Sequence, residues 1–180
     1  MPKDTNYLSM ARVAIIGPGG AGKSTLARQL GEKTGLPVVH LDSVYWNAGW
    51  VETPKEVWAQ TVRELTERGA WITDGNFGGT MNLRLAAADT IIFLDLPRVV
   101  CIMRVLRRFL KYRHQSRPDM APGCPEKLDF VFLKWIWNYR RDRRPGILKR
   151  ISEHATQARL VHLRTPAQVR RFLNGLTLNP

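Results

Sequence analysis

A glycine-rich segment, GPGGAGKS, occupies residues 17–24 of this chain. A glycine, four further residues and then Gly-Lys-Ser form a loop that wraps phosphate groups when it joins a strand to a helix. The preceding residues 12–16 are apolar and β-branched, which predicts a buried parallel strand. In the following residues 24–32, Leu26 and Leu30 lie four apart, which predicts an amphipathic helix. The segment therefore has the context that a phosphate-binding loop requires.

Each residue type in this loop has a chemical use. Glycines let backbone amides approach phosphate oxygens without a Cβ atom in the way, and the helix that follows adds the positive end of its dipole. We expect Lys23 to contact the β- and γ-phosphates of ATP and the Ser24 hydroxyl to bind Mg²⁺. The predicted nucleotide contacts in the loop are Gly17, Gly19, Gly20, Ala21, Gly22, Lys23, Ser24 and Thr25.

Length and composition bound the class of protein. The 180 residues suit one domain, residues 1–180, and contain no apolar run long enough to cross a membrane. Two cysteines give neither a disulfide framework nor a zinc site, and the first ten residues lack the apolar stretch of a signal peptide. We therefore expect a cytoplasmic protein whose first ten residues are a frayed lead-in, and both a monomer and a dimer stay open.

The net charge of +13 is unevenly distributed. Residues 98–150 hold 15 Lys and Arg against 4 Asp and Glu, whereas residues 1–97 hold 9 against 10. Basicity confined to one part of the chain indicates a local anionic partner, either a nucleoside triphosphate or a nucleic acid.

Strands and helices are predicted to alternate along the chain. The predicted strands are residues 12–16, 38–41, 70–73, 90–94 and 159–163, and the later helices include 97–111, 126–144, 147–156 and 166–173. Such alternation predicts an α/β fold with a parallel sheet and helices on both faces. Asp42, Asp74 and Asp95 each follow a strand, so we expect them to meet the phosphate loop at one edge of the sheet. Of the three, we expect Asp95 to be structural, near the cap of the helix that starts at Pro97.

The chain resembles the small P-loop kinases of the adenylate kinase and shikimate kinase kind over about residues 12–175. Among these it is most similar to the bacterial proteins labelled DNA topology modulation proteins. The residues that carry the resemblance are Gly17 to Thr25, Leu41-Asp42, Thr73-Asp74-Gly75-Asn76, Leu94-Asp95-Leu96-Pro97, Arg104 and Arg108.

The resemblance implies a three-layer P-loop NTPase fold with a five-stranded parallel sheet in the order 2-3-1-4-5. It also implies an acceptor-binding segment at about residues 43–69 and a basic lid at about residues 112–140. By the same match, Arg104 would lie near the adenine, and Arg108 would hold phosphate and take part in catalysis. At least one of the lid arginines Arg140, Arg141, Arg143 and Arg144 would face the transferring phosphoryl group.

The acceptor is less well defined than the nucleotide. The arginine that adenylate kinases place in a Gly-Phe-Pro-Arg turn is missing here, and Arg84 comes a turn or two later. Asp42 is either the base that takes a proton from an acceptor hydroxyl or a solvated carboxylate at a strand end. Trp46 either stacks on an acceptor ring or packs. The predicted acceptor contacts are Asp42, Trp46, Asn76 and Arg84.

Asp74 is the predicted second protein ligand for Mg²⁺, beside Ser24, and its alternative role is that of a turn-forming residue before a glycine. Together these features predict a Mg²⁺- and ATP-dependent kinase whose catalytic residues are Lys23, Asp42 and Arg108. Its acceptor is a nucleoside monophosphate or a small hydroxyl compound. The alternative is a nucleic-acid-binding regulator that uses the ATP site as a switch or retains it as a relic.

Overall fold

The computed structural model describes residues 10–113 and 115–176, so most of the predicted lead-in lies outside the described residues. In chain order the elements are β1 (Arg12–Ile16), α1 (Lys23–Thr34), β2 (Val38–His40), α2 (Leu41–Tyr45), β3 (Trp46–Asn47), β4 (Val51–Glu52), α3 (Lys55–Thr66), β5 (Trp71–Asp74), α4 (Met81–Ala87), β6 (Thr90–Leu94), α5 (Arg98–Tyr112), α6 (Phe130–Asp142), α7 (Arg144–His154), β7 (Arg159–Leu163) and α8 (Pro166–Asn174).

Five parallel strands form the central sheet in the order β2-β5-β1-β6-β7. Counted without the short strands β3 and β4, which pair only with each other, this is the predicted order 2-3-1-4-5. The α/β prediction with a five-stranded parallel sheet is therefore confirmed. The order reverses beside β1, which is where ligands bind in open sheets of this kind.

Alternating residues of the strands divide the core into two layers of contacts. From β1, Val13 and Ile15 pack with α1, α5 and α8, whereas Ala14 and Ile16 pack with α3, α4 and α7. Because both faces of the sheet are covered, the central strands are apolar throughout rather than alternating in polarity. The predicted three layers, with helices on both faces, are confirmed.

Two short segments differ from the sequence prediction. The strand predicted over residues 38–41 ends at His40, and Asp42 lies in the short helix α2. The predicted loop after it contains the hairpin of β3 and β4, whose two-residue strands are too short to show a periodic pattern.

The chain between α5 and α6, residues 113–129, forms the tip of the predicted lid. The helix predicted over residues 126–144 begins at Phe130, because the Asp129 carboxylate accepts hydrogen bonds from the amides of Val131 and Phe132 and so caps it. Among the described residues, no helix has both the length and the apolar character needed to span a bilayer.

Candidate active site

The phosphate loop between β1 and α1 depends on glycine at two close approaches. Gly17 has a φ of 149°, and a Cβ atom there would lie 2.4 Å from the Leu94 carbonyl oxygen. Gly20 has a φ of 74°, and its Cβ atom would lie 2.2 Å from the carbonyl oxygen of Cys101. Any side chain at either position would collide with backbone, so the loop packs tightly against the end of β6 and the first turn of α5.

The inner side of the loop presents amides to the space above it. The Gly17 amide donates to Oδ1 of Asn76 at 3.0 Å, which ties the loop to the turn after β5. Within residues 10–113 and 115–176, the amides of Gly19, Gly20 and Gly22 donate to no protein acceptor. Beside them, α1 begins at Lys23 without a side-chain cap. Free amides at a helix N-terminus form a site for an anion.

The Lys23 ammonium group closes this site. Its Nζ atom donates to the carbonyl oxygens of Gly17 at 3.1 Å and Pro18 at 3.0 Å. Burial lowers the pKa of Lys23, while the nearby carboxylates of Asp42 and Asp74 act in the opposite direction. The loop, the lysine and two of the three strand-end carboxylates therefore lie together.

Asp42 and Asp74 lie in different environments. Burial raises the pKa of Asp42, with the like charge of Asp74 acting in the same direction and Lys23 against it. Asp74 is buried at the end of β5, where its Oδ1 atom lies 2.6 Å from Nδ1 of His40. That hydrogen bond raises the pKa of His40. A carboxylate with a raised pKa beside a cleft is suited to accept a proton.

His40 was given no role by the sequence prediction, although it is the last residue of β2 and lies in register with Asp74. The pairing of β2 with β5 brings the two side chains together. Because strand order is a tertiary property, the spacing of histidines along the chain carried no signal for this contact.

The lid contributes Asp119 to the cleft, where its carboxylate lies beside Ser24 and interaction with the Ser24 hydroxyl favours the ionised form of Asp119. Burial opposes ionisation of Asp119, but Arg117 and this interaction outweigh it and hold the pKa of Asp119 below its ordinary value. Arg117 also lies 2.7 Å from the buried Glu126, which in turn accepts from Arg108 at 2.8 Å. The lid thus contacts both the phosphate loop and α5.

The two predicted arginines of α5 line the cleft above the loop. Arg104 donates to the carbonyl oxygen of Ala21 at 2.9 Å, so it lies beside the phosphate loop. Arg108 is paired with Glu126, and burial, together with the positive charge of Arg117, lowers its pKa. Arg108 therefore lies close to the site, and its positive charge is balanced by the carboxylate of Glu126 in the lid.

Arg84 is fully buried and lies outside the cleft. It donates to the carbonyl oxygens of Gly75 at 3.0 Å and Asn76 at 2.5 Å from beneath the turn. Burial lowers its pKa to about 10. This arrangement does not fit the predicted acceptor contact, because the side chain supports the turn from inside the protein. Asn76, in contrast, does line the cleft.

Asp95 lies in a separate cluster at the end of β6. It is 2.8 Å from Nε of Arg144, 3.5 Å from Nε of Arg140 and 3.1 Å from Nε2 of His162. Two of the four predicted lid arginines are therefore bound to Asp95, while Arg141 pairs with the exposed Asp142. Asp95 therefore joins α6 and α7 to the end of β6.

These elements surround a cleft of about 1290 Å³. Its floor is the phosphate loop, one side is α5, and the other side carries His40, Asp42 and the β3–β4 hairpin with Trp46. This volume exceeds the range of about 300–1,000 Å³ that is typical of small-molecule sites. The predicted contacts Lys23, Ser24, Thr25 and Trp46 all line it.

The donors near Ser24 fit a magnesium ion. The Ser24 hydroxyl and the Asp74 carboxylate are oxygen donors of the kind that Mg²⁺ prefers. The described residues hold no group of three or more His, Cys, Asp or Glu side chains arranged to enclose a metal.

The known proteins to which this chain is similar are kinases. No protein-family model matches the chain. It is 29% identical over 110 residues to the adenylate kinases of Thermotoga petrophila and Thermotoga maritima, a match that covers 59% of this chain and 49% of each relative. The chain therefore spans about half the length of the curated relatives that it matches.

Solved structures of kinases share the fold over nearly the whole chain. A shikimate kinase from Acinetobacter baumannii, in complex with shikimate, has a TM-score of 0.60 at 18% identity and covers 95% of this chain and 93% of its own. A gluconokinase from Sinorhizobium meliloti has a TM-score of 0.52 at 16% identity and covers 92% and 91%. The fold is that of small P-loop kinases. The names of these proteins do not address DNA topology, so that part of the resemblance stays a prediction.

Proposed function

We propose that this protein is an ATP-dependent phosphotransferase that uses Mg²⁺ and a small acceptor. The observation that carries the proposal is the coincidence of free loop amides, the Lys23 ammonium group and the Asp42 carboxylate in one cleft. The similarity to adenylate kinases in sequence, and to shikimate kinase and gluconokinase in fold, supports it.

The chain's own residues divide the work. The free amides of Gly19, Gly20 and Gly22 and the Lys23 ammonium group bind the β- and γ-phosphates. Arg104 and Arg108 bind the rest of the nucleotide from α5. Ser24 and Asp74 hold Mg²⁺, which when bound neutralises charge on the phosphates. Closure of the lid excludes water from the transferred group.

Asp42 takes the proton of an acceptor hydroxyl as the acceptor oxygen bonds to the γ-phosphorus of ATP. The bond from that phosphorus to the β–γ bridging oxygen breaks, and ADP leaves. The raised pKa of Asp42 makes it a stronger base than an ordinary carboxylate. This role favours a hydroxyl compound over a nucleoside monophosphate, whose acceptor oxygen is already ionised.

The basic helix α5 favours a second candidate, a nucleic-acid-binding regulator. Its 15 residues carry five Lys and Arg and no Asp or Glu, and Arg107 and Lys111 are exposed. A basic stripe binds phosphate backbones with strong salt dependence.

One experiment separates the two candidates. ADP release is measured with ATP, Mg²⁺ and a panel of nucleosides, nucleoside monophosphates, sugars and amino alcohols, for the unmodified protein and Lys23→Ala. Turnover that an acceptor stimulates, and that Lys23→Ala lowers by at least about 100-fold, supports the kinase. Absence of stimulation by every acceptor, with salt-sensitive duplex binding unchanged in Lys23→Ala, supports the regulator instead.

A further inference from the structure

Charge is divided unequally between the two sides of the cleft. On one side α5 contributes Arg104, Arg107, Arg108 and Lys111, and no acidic residue lies anywhere on this helix. On the other side residues 34–54 include no Lys or Arg, although the chain carries 28 of them. Strand order separates these walls, because β2 and β5 lie on one side of β1 and β6 leads into α5 on the other.

The wall without Lys or Arg combines carboxylates with aromatic rings. Trp46 and Glu52 are cross-strand partners in the β3–β4 hairpin, so their side chains project from the same face of it. Both line the cleft, as does Asp42. The ring of Trp50 lies 5.4 Å from that of Trp46, centroid to centroid. Carboxylates beside indole faces form a favourable environment for an organic cation.

The backbone is strained at one aromatic residue of this wall, Trp50, and at Phe77 on the turn after β5. Among the described residues, the non-glycine positions with φ in the left-handed region are Trp50 at 65° and Phe77 at 38°, and both line the cleft. Bulky residues adopt this region at a cost of about 1–3 kcal/mol, and they do so chiefly where a site requires a side chain in a fixed place. The strain therefore indicates that these aromatic side chains are held in place for binding.

Two of the cations beside this wall are paired with carboxylates. Arg117 is paired with both Glu126 and Asp119. Arg28, which also lines the cleft, lies 3.3 Å from Glu32. A phosphate or carboxylate on the acceptor would therefore meet the like charges of Asp42 and Glu52, while both of these guanidinium groups are already neutralised.

The contact of Lys127 with Trp50 shows that this wall can bind an ammonium group. The Nζ atom of Lys127 lies 5.1 Å from the centroid of the Trp50 ring, so one face of that ring already accepts an ammonium group. The residue comes from the lid, whose main chain also holds the hairpin: the Trp50 indole donates to the carbonyl oxygen of Pro125 at 3.2 Å.

We infer that the acceptor of this kinase is a hydroxyl compound that carries a protonated amine and no anionic group. This inference rests on the proposed phosphotransferase function and adds the acceptor's charge class to it. Glu52 and the faces of Trp46 and Trp50 hold the ammonium group. Asp42 accepts the proton of the hydroxyl as that oxygen bonds to the γ-phosphorus, and ADP is the leaving group.

A matched set of sugars tests the charge class. Glucosamine, glucose and gluconate share most of their hydroxyl groups and differ in charge, and adenosine with adenosine monophosphate extends the comparison. ADP release at fixed ATP and Mg²⁺ should give kcat/KM at least about 10-fold higher for the cationic than for the anionic member of the set. A higher kcat/KM for gluconate or for the monophosphate overturns the inference while leaving a kinase in place. Absence of stimulation by every member of the set also overturns the inference about the acceptor. ATP binding is then measured separately, and binding that is lost in Lys23→Ala would show that the proposed nucleotide site is correct.

Substitution of Glu52 provides a second test of the acceptor's charge. Glu52→Gln should raise KM for the best cationic acceptor about 10-fold with kcat within about twofold, and it should leave KM for a neutral acceptor within about twofold. The matched control is Glu64→Gln on the exposed face of α3, where Glu64 accepts from Gln60. Equal effects of Glu52→Gln on cationic and neutral acceptors would mean that Glu52 supports the hairpin and selects no charge.

Discussion

The Nδ1 atom of His40 lies 2.6 Å from Oδ1 of Asp74, so that the last residue of β2 holds the carboxylate that ends β5. Both residues stand beside the phosphate loop, and Asp74 is the predicted ligand of Mg²⁺. The contact joins two neighbouring strands at the edge of the sheet where the cleft opens.

Stability should depend on pH through this pair. The hydrogen bond to Asp74 raises the pKa of His40 above its unfolded value, so its contribution is complete below the unfolded pKa and is lost as pH rises through the folded one. We expect His40→Gln to lower the free energy of unfolding by about 1 kcal/mol at pH 5.5 and by less at pH 8.5. Urea unfolding at the two pH values measures the difference.

His154→Gln, in the last turn of α7, is the matched control for the loss of one imidazole. Its effect should change less between the two pH values, because a charge at a helix end contributes a few tenths of a kcal/mol. A cost of His40→Gln that grows as pH rises would contradict the pairing.

Asp42→Asn should separate activity from stability. Burial raises the pKa of Asp42 above its unfolded value, so ionisation destabilises the folded state increasingly as pH rises above the unfolded pKa, and fully above the folded pKa. We expect Asp42→Asn to raise the free energy of unfolding by about 1 kcal/mol at pH 7.5, with the gain vanishing below about pH 4. The same substitution should lower kcat at least about 100-fold while ATP binding is retained.

Calorimetric unfolding across the pH range and single-turnover assays measure the two effects of Asp42→Asn. Ser43→Ala, at the exposed neighbouring position, is the control for disturbing α2. Loss of stability in Asp42→Asn at pH 7.5 would show that the attraction of Lys23 outweighs burial at this position.

Arg84→Met should weaken both the fold and the nucleotide site. The substitution removes the two donors to the carbonyl oxygens of Gly75 and Asn76 inside the protein. Leaving buried carbonyl groups without donors predicts a loss of about 2–4 kcal/mol of stability. Because Asn76 accepts from the amide of Gly17, the disturbance should also raise KM for ATP.

Thermal unfolding and ATP titration measure the two effects of Arg84→Met. Arg63→Met on the exposed face of α3 is the matched control and should change stability by less than about 0.5 kcal/mol. A stable Arg84→Met variant with a raised KM for the acceptor alone would restore the acceptor contact predicted from the sequence.

Glu126→Gln should loosen the lid. Glu126 is buried and balances the charges of Arg108 and Arg117 at 2.8 and 2.7 Å. Breaking a buried ion pair by neutralising one partner leaves uncompensated charge, which favours opening of the segment. We expect tryptic cleavage within residues 113–129 to become about 10-fold faster, as measured by mass spectrometry under native conditions.

Bound ATP analogue should reverse much of the Glu126→Gln effect, because phosphates would then balance Arg108. Glu56→Gln on the exposed side of α3 is the control and should leave the cleavage rate unchanged. Faster cleavage in both variants would indicate general destabilisation rather than release of the lid.

The sequence by itself determined the elements that depend on residue types at short, fixed spacings. The phosphate loop, the apolar runs of β1 and β6 and the helix start at Pro166 follow from residue types at fixed spacing, because steric and hydrogen-bonding preferences act over a few residues. From these the parallel sheet followed, together with the position of Lys23 and Ser24 at its edge.

The tertiary structure alone decided which way the polar side chains point and with what they pair. Arg84 turns inward to two carbonyl oxygens, Asp95 pairs with Arg144, and Asp119 lies beside Ser24, which is 95 positions earlier in the chain. The partners in these contacts are far apart in sequence or buried by packing between elements. Local spacing therefore cannot specify them, because the direction of a side chain is set by the surfaces that the fold brings against it.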